Sequence, residues 1–145
     1  MKKLALTLLG TLAVALLASG CGGGDDDSIS KDEFLQKGNA ICAKGNQELD
    51  QAANEVFSAG QQPTPEQVTT FVNEDLLPNV EGQISDLRDL GIPEGDEDQV
   101  NAILDAADEG VEKTKADPAS GFEGADPFAE ANKLARDYGL VACGS

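Results

Sequence analysis

Histidine and tryptophan are absent from the chain, and methionine and tyrosine each occur once. Histidine is the usual general base and the commonest ligand of zinc and haem iron, so its absence removes most catalytic and metal-binding arrangements. The serine residues lie in predicted caps, loops and solvated helix faces, where nothing activates them as nucleophiles. We therefore expect no catalytic residues, no metal ligands and no cofactor, and we expect that the protein is not an enzyme.

Basic residues are scarce: the chain has 10 Lys and Arg against 27 Asp and Glu, a formal net charge of −17. Nucleic-acid binding needs Lys and Arg to replace the counterions along the phosphates, so this balance argues against it. It also disfavours close contact with an anionic membrane surface through basic side chains. With so many carboxylates, some pairs reach catalytic distances by chance, so a carboxylate-based hydrolase is kept only as a weaker alternative.

The N-terminal segment is typical of a bacterial lipoprotein signal. Lys2 and Lys3 precede an apolar run at residues 4–17, and small residues lead to Cys21. We expect residues 1–20 to be removed and Cys21 to carry a diacylglycerol, so that acyl chains such as palmitate anchor the protein. This predicts a lipid-anchored protein on the extracytoplasmic face of the cell membrane. An ordinary secretory signal or an uncleaved membrane helix is the alternative, although the run is short for a span.

Cys42 and Cys143 are the two cysteines that remain after Cys21. An even pair in an oxidising, extracytoplasmic compartment predicts a disulfide. Such a bond closes a loop of roughly 100 residues, which the chain-entropy model values at up to about 4.7 kcal/mol. A metal or redox pair is the competing interpretation, which the lack of CxxC spacing and of histidine disfavours.

Three Gly and three Asp follow Cys21, and such a stretch cannot pack, so residues 21–29 are predicted to be a flexible tether. Residues 30–145 then form a single domain. Removal of residues 1–20 leaves eight basic against 27 acidic residues, a net charge of −19 on the mature chain. With five Phe, one Tyr and no Trp, the core of this domain is expected to be aliphatic and rich in Ala.

Apolar residues recur at helical spacing in four segments of that domain. The first segment begins at the capping box Ser30-Lys31-Asp32-Glu33 and is expected to stop at Gly60. The second begins at Thr64-Pro65-Glu66-Gln67, with Thr64 as the cap, and ends at Gly91-Ile92-Pro93. Pro78 interrupts it, so we expect a kink or two consecutive helices there.

The third helix is predicted to begin near Asp96 and to end before Asp117-Pro118. Residues 119–125 are predicted to be a loop. The fourth helix is short, starting at Asp126-Pro127 and stopping at Gly139, after which residues 140–143 return to the bundle. The pattern indicates no strand, so the predicted fold class is all-α, a four-helix bundle closed by the cysteine pair. An irregular helical array with the same disulfide is the alternative.

Several short sequence patches recur in a known group of proteins. They are Asn39-Ala40-Ile41-Cys42, Leu77-Pro78 followed by Ile84 and Leu87-Arg88, Asp126-Pro127-Phe128-Ala129-Glu130-Ala131-Asn132, and Tyr138-Gly139-Leu140 before Cys143-Gly144. Through these patches the mature chain resembles small, largely uncharacterised, disulfide-bonded helical lipoproteins of high-GC Gram-positive bacteria. The resemblance implies the fold, the disulfide and the surface location, and it implies no activity.

Two acidic stretches are candidate cation sites. Ile29-Ser30-Lys31-Asp32-Glu33-Phe34 is similar to the second half of an EF-hand loop, but Gly22 and Gly24 stand where the first acidic ligands belong, and Asp27 stands where the loop needs Gly. Gly95-Asp96-Glu97-Asp98 is the second candidate, although acids are common in the first turn of any helix. We expect neither stretch to be a metal site.

Gly38, Gly45, Gly82 and Gly110 lie within predicted helices, where glycine usually marks close helix packing and less often a ligand approached by the backbone. Tyr138 is a candidate for a pocket mouth, although such a residue more often buries its ring and keeps its hydroxyl wet.

These observations favour a non-enzymatic, lipid-anchored extracytoplasmic helical domain that acts through a protein or cell-envelope partner. The alternative is a lipoprotein that binds a small molecule or a divalent cation, either in a cavity between helices or on the acidic face.

Overall fold

The computed structural model describes residues 28–57 and 62–145. Within these ranges all regular structure is helical: α1 (Lys31–Val56), α2 (Pro65–Phe71), a π-helical segment (Val72–Leu76), α3 (Leu77–Asp89), α4 (Glu97–Ala116), α5 (Ser120–Glu123) and α6 (Ala129–Tyr138). The predicted all-α fold is confirmed. The four rods of the bundle are α1, the α2–α3 unit, α4 and α6. The predicted signal at residues 1–20, the lipidation site Cys21, most of the tether and Gly60 lie outside the described residues.

The start of α1 follows the predicted cap only in part. The Ser30 hydroxyl accepts a hydrogen bond from the Glu33 amide at 3.3 Å. The Glu33 carboxylate, which a capping box would return to the backbone, is instead paired with Lys37 Nζ at 2.7 Å. Ile29, the last residue of the predicted tether, is half-buried and packs against the core, so packing begins one residue earlier than expected.

The start of α2 has the complete capping box that the sequence predicts. The Thr64 side-chain oxygen accepts from the Gln67 amide at 3.2 Å, and the Gln67 side-chain oxygen accepts from the Thr64 amide at 2.9 Å. The Gln67 side-chain nitrogen also donates to the Val56 carbonyl at 3.1 Å. One glutamine therefore joins the beginning of α2 to the last turn of α1.

The predicted break at Pro78 lies one turn earlier, in the π-helical segment. The Leu77 amide donates to the Val72 carbonyl, five residues back instead of four. Proline has no N–H to donate, and its ring crowds the carbonyl four residues before it. A wider turn ahead of Pro78 relieves that crowding, and the chain continues as α3 without leaving the bundle.

The connection between α4 and α6 differs from the predicted loop. It contains the short helix α5, whose Phe122 ring stacks edge to face on Phe57 with centroids 6.1 Å apart. Helix α6 begins at Ala129 and not at Pro127, because Pro127 and Phe128 form a turn. Asp126 still caps this turn, since its carboxylate accepts from the Phe128 amide at 2.8 Å.

The predicted disulfide between Cys42 and Cys143 is confirmed, with a Cα–Cα distance of 4.9 Å and a sequence separation of 101. Residues 140–145 leave α6 at Gly139, whose φ of 113° suits glycine, and return to α1. Two asparagines of α1 form hydrogen bonds with this segment. Asn39 accepts from the Ala142 amide at 2.8 Å and donates to the Gly139 carbonyl at 3.0 Å, and Asn46 donates to the Ala142 carbonyl at 2.8 Å.

The helical glycines mark close packing at three of the four predicted positions. A Cβ on Gly38 would lie 2.7 Å from a methyl carbon of Leu140, one on Gly45 would overlap the Gln83 amide, and one on Gly110 would overlap the Phe128 ring. Gly82 is the exception, since a Cβ there would meet no atom within 4 Å. No helix within 28–57 and 62–145 is both long and apolar enough to cross a bilayer.

Candidate ligand site

A cavity of about 320 Å³, open to solvent on one side, lies between α1, α3, α4 and α6. Its wall is mostly aliphatic, with one aromatic ring. The larger apolar side chains that line it are Leu49, Leu76, Val80, Ile84, Leu87, Ile103, Leu104 and Phe128. At about 30 Å³ for a water-sized group, this space holds roughly ten non-hydrogen groups.

Small side chains and uneven helix lengths leave this space open. Helix α6 has ten residues against 20 in α4, on which it packs, so it covers only part of the bundle. Ala107, Ala131 and Ala135 line the cavity, and their side chains end at Cβ. A chain without Trp and with only six aromatic residues has few side chains large enough to fill the gap.

The disulfide forms part of the cavity wall, since both Cys42 and Cys143 line it. Beside it, Asn46 and Ser145 line the cavity as well, and the Asn46 amide donates to the Ser145 hydroxyl at 2.8 Å. The segment that closes the fold is therefore also a wall of the cavity.

The remaining polar residues of the wall are Gln83, Asp126 and Asn132. Asn132 donates to the Asp126 carboxylate at 3.1 Å, and Gln83 donates to the Asn79 side-chain oxygen at 2.6 Å. None of the described lining residues is Lys or Arg, and Asp126 is the acid among them. An apolar interior with a few polar groups is the usual form of a small-molecule site.

Tyr138 lies outside the wall of this cavity, in a polar cluster that joins three helix ends. Its ring is buried and meets Phe34 edge to face at 6.1 Å. Its hydroxyl donates to the Asp96 carboxylate at 2.8 Å, so the protein satisfies this hydroxyl. Lys31 Nζ is 3.2 Å from the same carboxylate and 4.3 Å from the centre of the tyrosine ring. Burial and then the bond to Asp96 raise the pKa of Tyr138.

Asp96→Asn is expected to lower the melting temperature at neutral pH, because the tyrosine hydroxyl and Lys31 lose their charged partner. The hydrogen bond from Tyr138 and the interaction with Lys31 lower the pKa of Asp96 in the folded chain. The stabilisation is therefore present above about pH 5 and is lost as the pH falls below about 4. Thermal melts of wild type and Asp96→Asn between about pH 3 and 7 should show a difference in melting temperature that disappears in acid.

Asp98→Asn is the matched control, because it removes an exposed carboxylate two residues away. Its effect should stay within about 0.5 kcal/mol across the same range. A gap between wild type and Asp96→Asn that is equal at both ends of the range would contradict the assigned role of Asp96.

The candidate cation sites are used for other contacts. Asp96, the first acid of residues 95–98, binds Tyr138 and Lys31, and Glu33 of the EF-hand-like stretch binds Lys37. Across the described parts of the chain, no group of three or more acidic or cysteine side chains is placed to hold a metal ion. Lys31 also follows Ser28 at the S-x-x-K spacing, but its ammonium is paired with Asp96.

The cysteine pair was identified from the sequence, whereas the cavity residues were not. Asn46 on α1 lies far along the chain from Asp126 and Asn132 at the start of α6, and it carries no local signal that would single it out. Comparison with models of protein families, with curated proteins and with solved structures found no match to this chain.

Proposed function

We propose that the protein binds a small, mainly apolar molecule in the cavity between its helices. The observation that carries this proposal is the cavity itself, which has an aliphatic wall, a volume of about 320 Å³ and a few polar groups. Its size is at the lower end of the range for small-molecule sites, about 300–1,000 Å³. The lining residues that the structure describes include no arrangement of nucleophile and base, which favours binding over catalysis.

Ala107→Leu tests this proposal by filling the cavity. In the wild type, decan-1-ol at about ten times its Kd should add about 1.4 kcal/mol of stability and raise the melting temperature. Ala107 is half-buried and lines the cavity, so a leucine there should occupy the space and abolish the shift. Melting curves with and without the alcohol measure both effects.

Ala102→Leu is the matched control, since Ala102 is on the same helix and is exposed. It should leave the alcohol-induced shift unchanged. If wild type and Ala107→Leu respond equally to the alcohol, the molecule binds elsewhere and the proposal fails.

We place this binding activity at the membrane, where the Cys21 lipid predicted above would hold the domain. Cys21→Ala should move the protein from the membrane fraction to the soluble fraction, because the acyl chains supply the anchoring energy, about 0.8 kcal/mol for each buried CH₂. Immunoblots of fractionated cells measure the distribution. A protein that stays in the membrane fraction after this change is anchored in another way.

Action through a protein or envelope partner stays a prediction with less support. Among residues 28–57 and 62–145, the exposed large apolar side chains are Phe122 and Val141, 48% and 62% accessible. Phe122 contacts Phe57 just beyond the end of α1, whereas Val141 precedes Ala142, which binds Asn39. Asn39 and Phe57 are 18 residues apart along α1, which is about 27 Å on a helix. Phe122 and Val141 therefore form no common patch. Cross-linking on intact cells that recovers only the monomer would count against a partner.

A further inference from the structure

We infer that the cavity selects a non-anionic amphiphile, an alcohol or amine whose polar end donates hydrogen bonds, and that it discriminates against carboxylates. This inference rests on the proposed function and specifies the ligand of the same site. It follows from the charge of the lining, from the free acceptor sites of its carboxylate and from its size.

The charge of the lining opposes an anion. Asp126 is the acid in the wall, and no lining residue among the described parts of the chain is Lys or Arg. A fatty-acid head group at the polar wall would meet the exposed carboxylate of Asp126, with no cation among the described lining residues to offset the repulsion. The net charge of −19 on the mature chain adds long-range repulsion.

The donors of the polar wall are used in part, since Gln83 and Asn132 each place one amide hydrogen in a hydrogen bond, and its carboxylate acceptor has capacity left. Both hydrogens of the Asn46 amide are used, by the Ala142 carbonyl and the Ser145 hydroxyl, each at 2.8 Å. The Asp126 carboxylate accepts from the Phe128 amide at 2.8 Å and from Asn132 at 3.1 Å. A carboxylate offers about four lone-pair sites, so two more donors fit there. A hydroxyl or ammonium group supplies such a donor, and a carboxylate supplies none.

The volume sets the length of the apolar part. A space for roughly ten non-hydrogen groups accepts a chain of about ten carbons with its head group at the polar wall. Decan-1-ol, decylamine and decanoate differ only in that head group. With the alcohol below its solubility limit and the two charged compounds below their critical micelle concentrations, they separate the effect of charge from that of chain length.

The experiment is calorimetric titration of the three compounds into oxidised residues 28–145 at neutral pH. The core residues that the structure describes all lie in this part of the chain, between Ile29 and Cys143. Decan-1-ol and decylamine should bind, and decanoate should bind at least tenfold more weakly, a difference of about 1.4 kcal/mol. Asp126→Asn should reduce the discrimination against decanoate to less than threefold.

Asp98→Asn changes the net charge by the same amount as Asp126→Asn, in the exposed first turn of α4. It should leave the discrimination against decanoate intact. Because Asp126 also caps the turn before α6, Asp126→Ser provides a second variant with a different capping side chain. Melting curves establish that each variant is folded before titration.

The outcomes separate the two proposals. Binding of all three compounds with equal affinity would overturn the head-group inference and leave the proposed function standing. Binding of none would overturn both. Discrimination that survives in both Asp126 variants would overturn the role of that carboxylate in selecting the ligand.

Discussion

Cys143→Ser is expected to lower the free energy of unfolding by about 3–4.7 kcal/mol. The bond joins residues 101 apart, and without it the unfolded chain gains nearly the full entropy of an open loop of that length. For a domain of this size the melting temperature should fall by at least about 10 °C. The measurement is a thermal melt, repeated in urea to obtain the free energy.

Val141→Ser is the control for that variant. Val141 lies in the same returning segment and is exposed, so its change should cost less than about 0.5 kcal/mol. Addition of a thiol reductant to the wild type should lower its melting temperature to that of Cys143→Ser. Equal melting temperatures for oxidised wild type and the variant would show that the bond contributes nothing to stability.

Phe34→Ala is expected to cost about 3–5 kcal/mol, an effect of similar size. The Phe34 side chain is 0% exposed, in the first turns of α1, and packs against the ring of Tyr138 at the end of α6. Its removal leaves a void where the two ends of the domain meet. Since small domains are stable by only about 5–15 kcal/mol, the variant should be close to unfolding at 37 °C.

Phe122→Ala separates burial from residue type, because it makes the same substitution at a half-exposed ring. Contact with Phe57 is the interaction it loses, so its cost should be about 1 kcal/mol. Urea unfolding of both variants gives the comparison. Equal costs for the two changes would mean that the burial of Phe34 adds nothing to the stability of the domain.

Helix boundaries were predictable where a local signal sets them. Ser30 and Thr64 cap helices because a side-chain oxygen reaches an amide three residues on, and Gly139 ends α6 because it adopts a positive φ. Each of these signals acts within a few residues. The disulfide was predictable for another reason, because elimination left a single pair of cysteines.

Features that depend on distant residues were not predictable in this way. The bond from Tyr138 to Asp96 spans 42 residues, and the ion pair of Lys31 with Asp96 spans 65. Asp96 was correctly predicted to lie near a helix start, but its carboxylate binds side chains of α1 and α6. The cavity exists because the side chains of four helices do not fill the space between them. The volumes of those side chains decide this, and no local sequence pattern reports it.

The π-helical segment keeps the apolar stripe in phase across an irregular spacing. Val72 and Leu77 are both buried although five residues separate them. At about 100° per residue, five residues of α-helix would turn Leu77 roughly 140° away from the direction of Val72. The wider turn restores the direction, and Asn73 and Glu74 remain exposed. The segment therefore accommodates one residue more than a regular turn. Deletion of one residue here would leave a regular α-helical turn and keep Ile84 and Leu87 in the core.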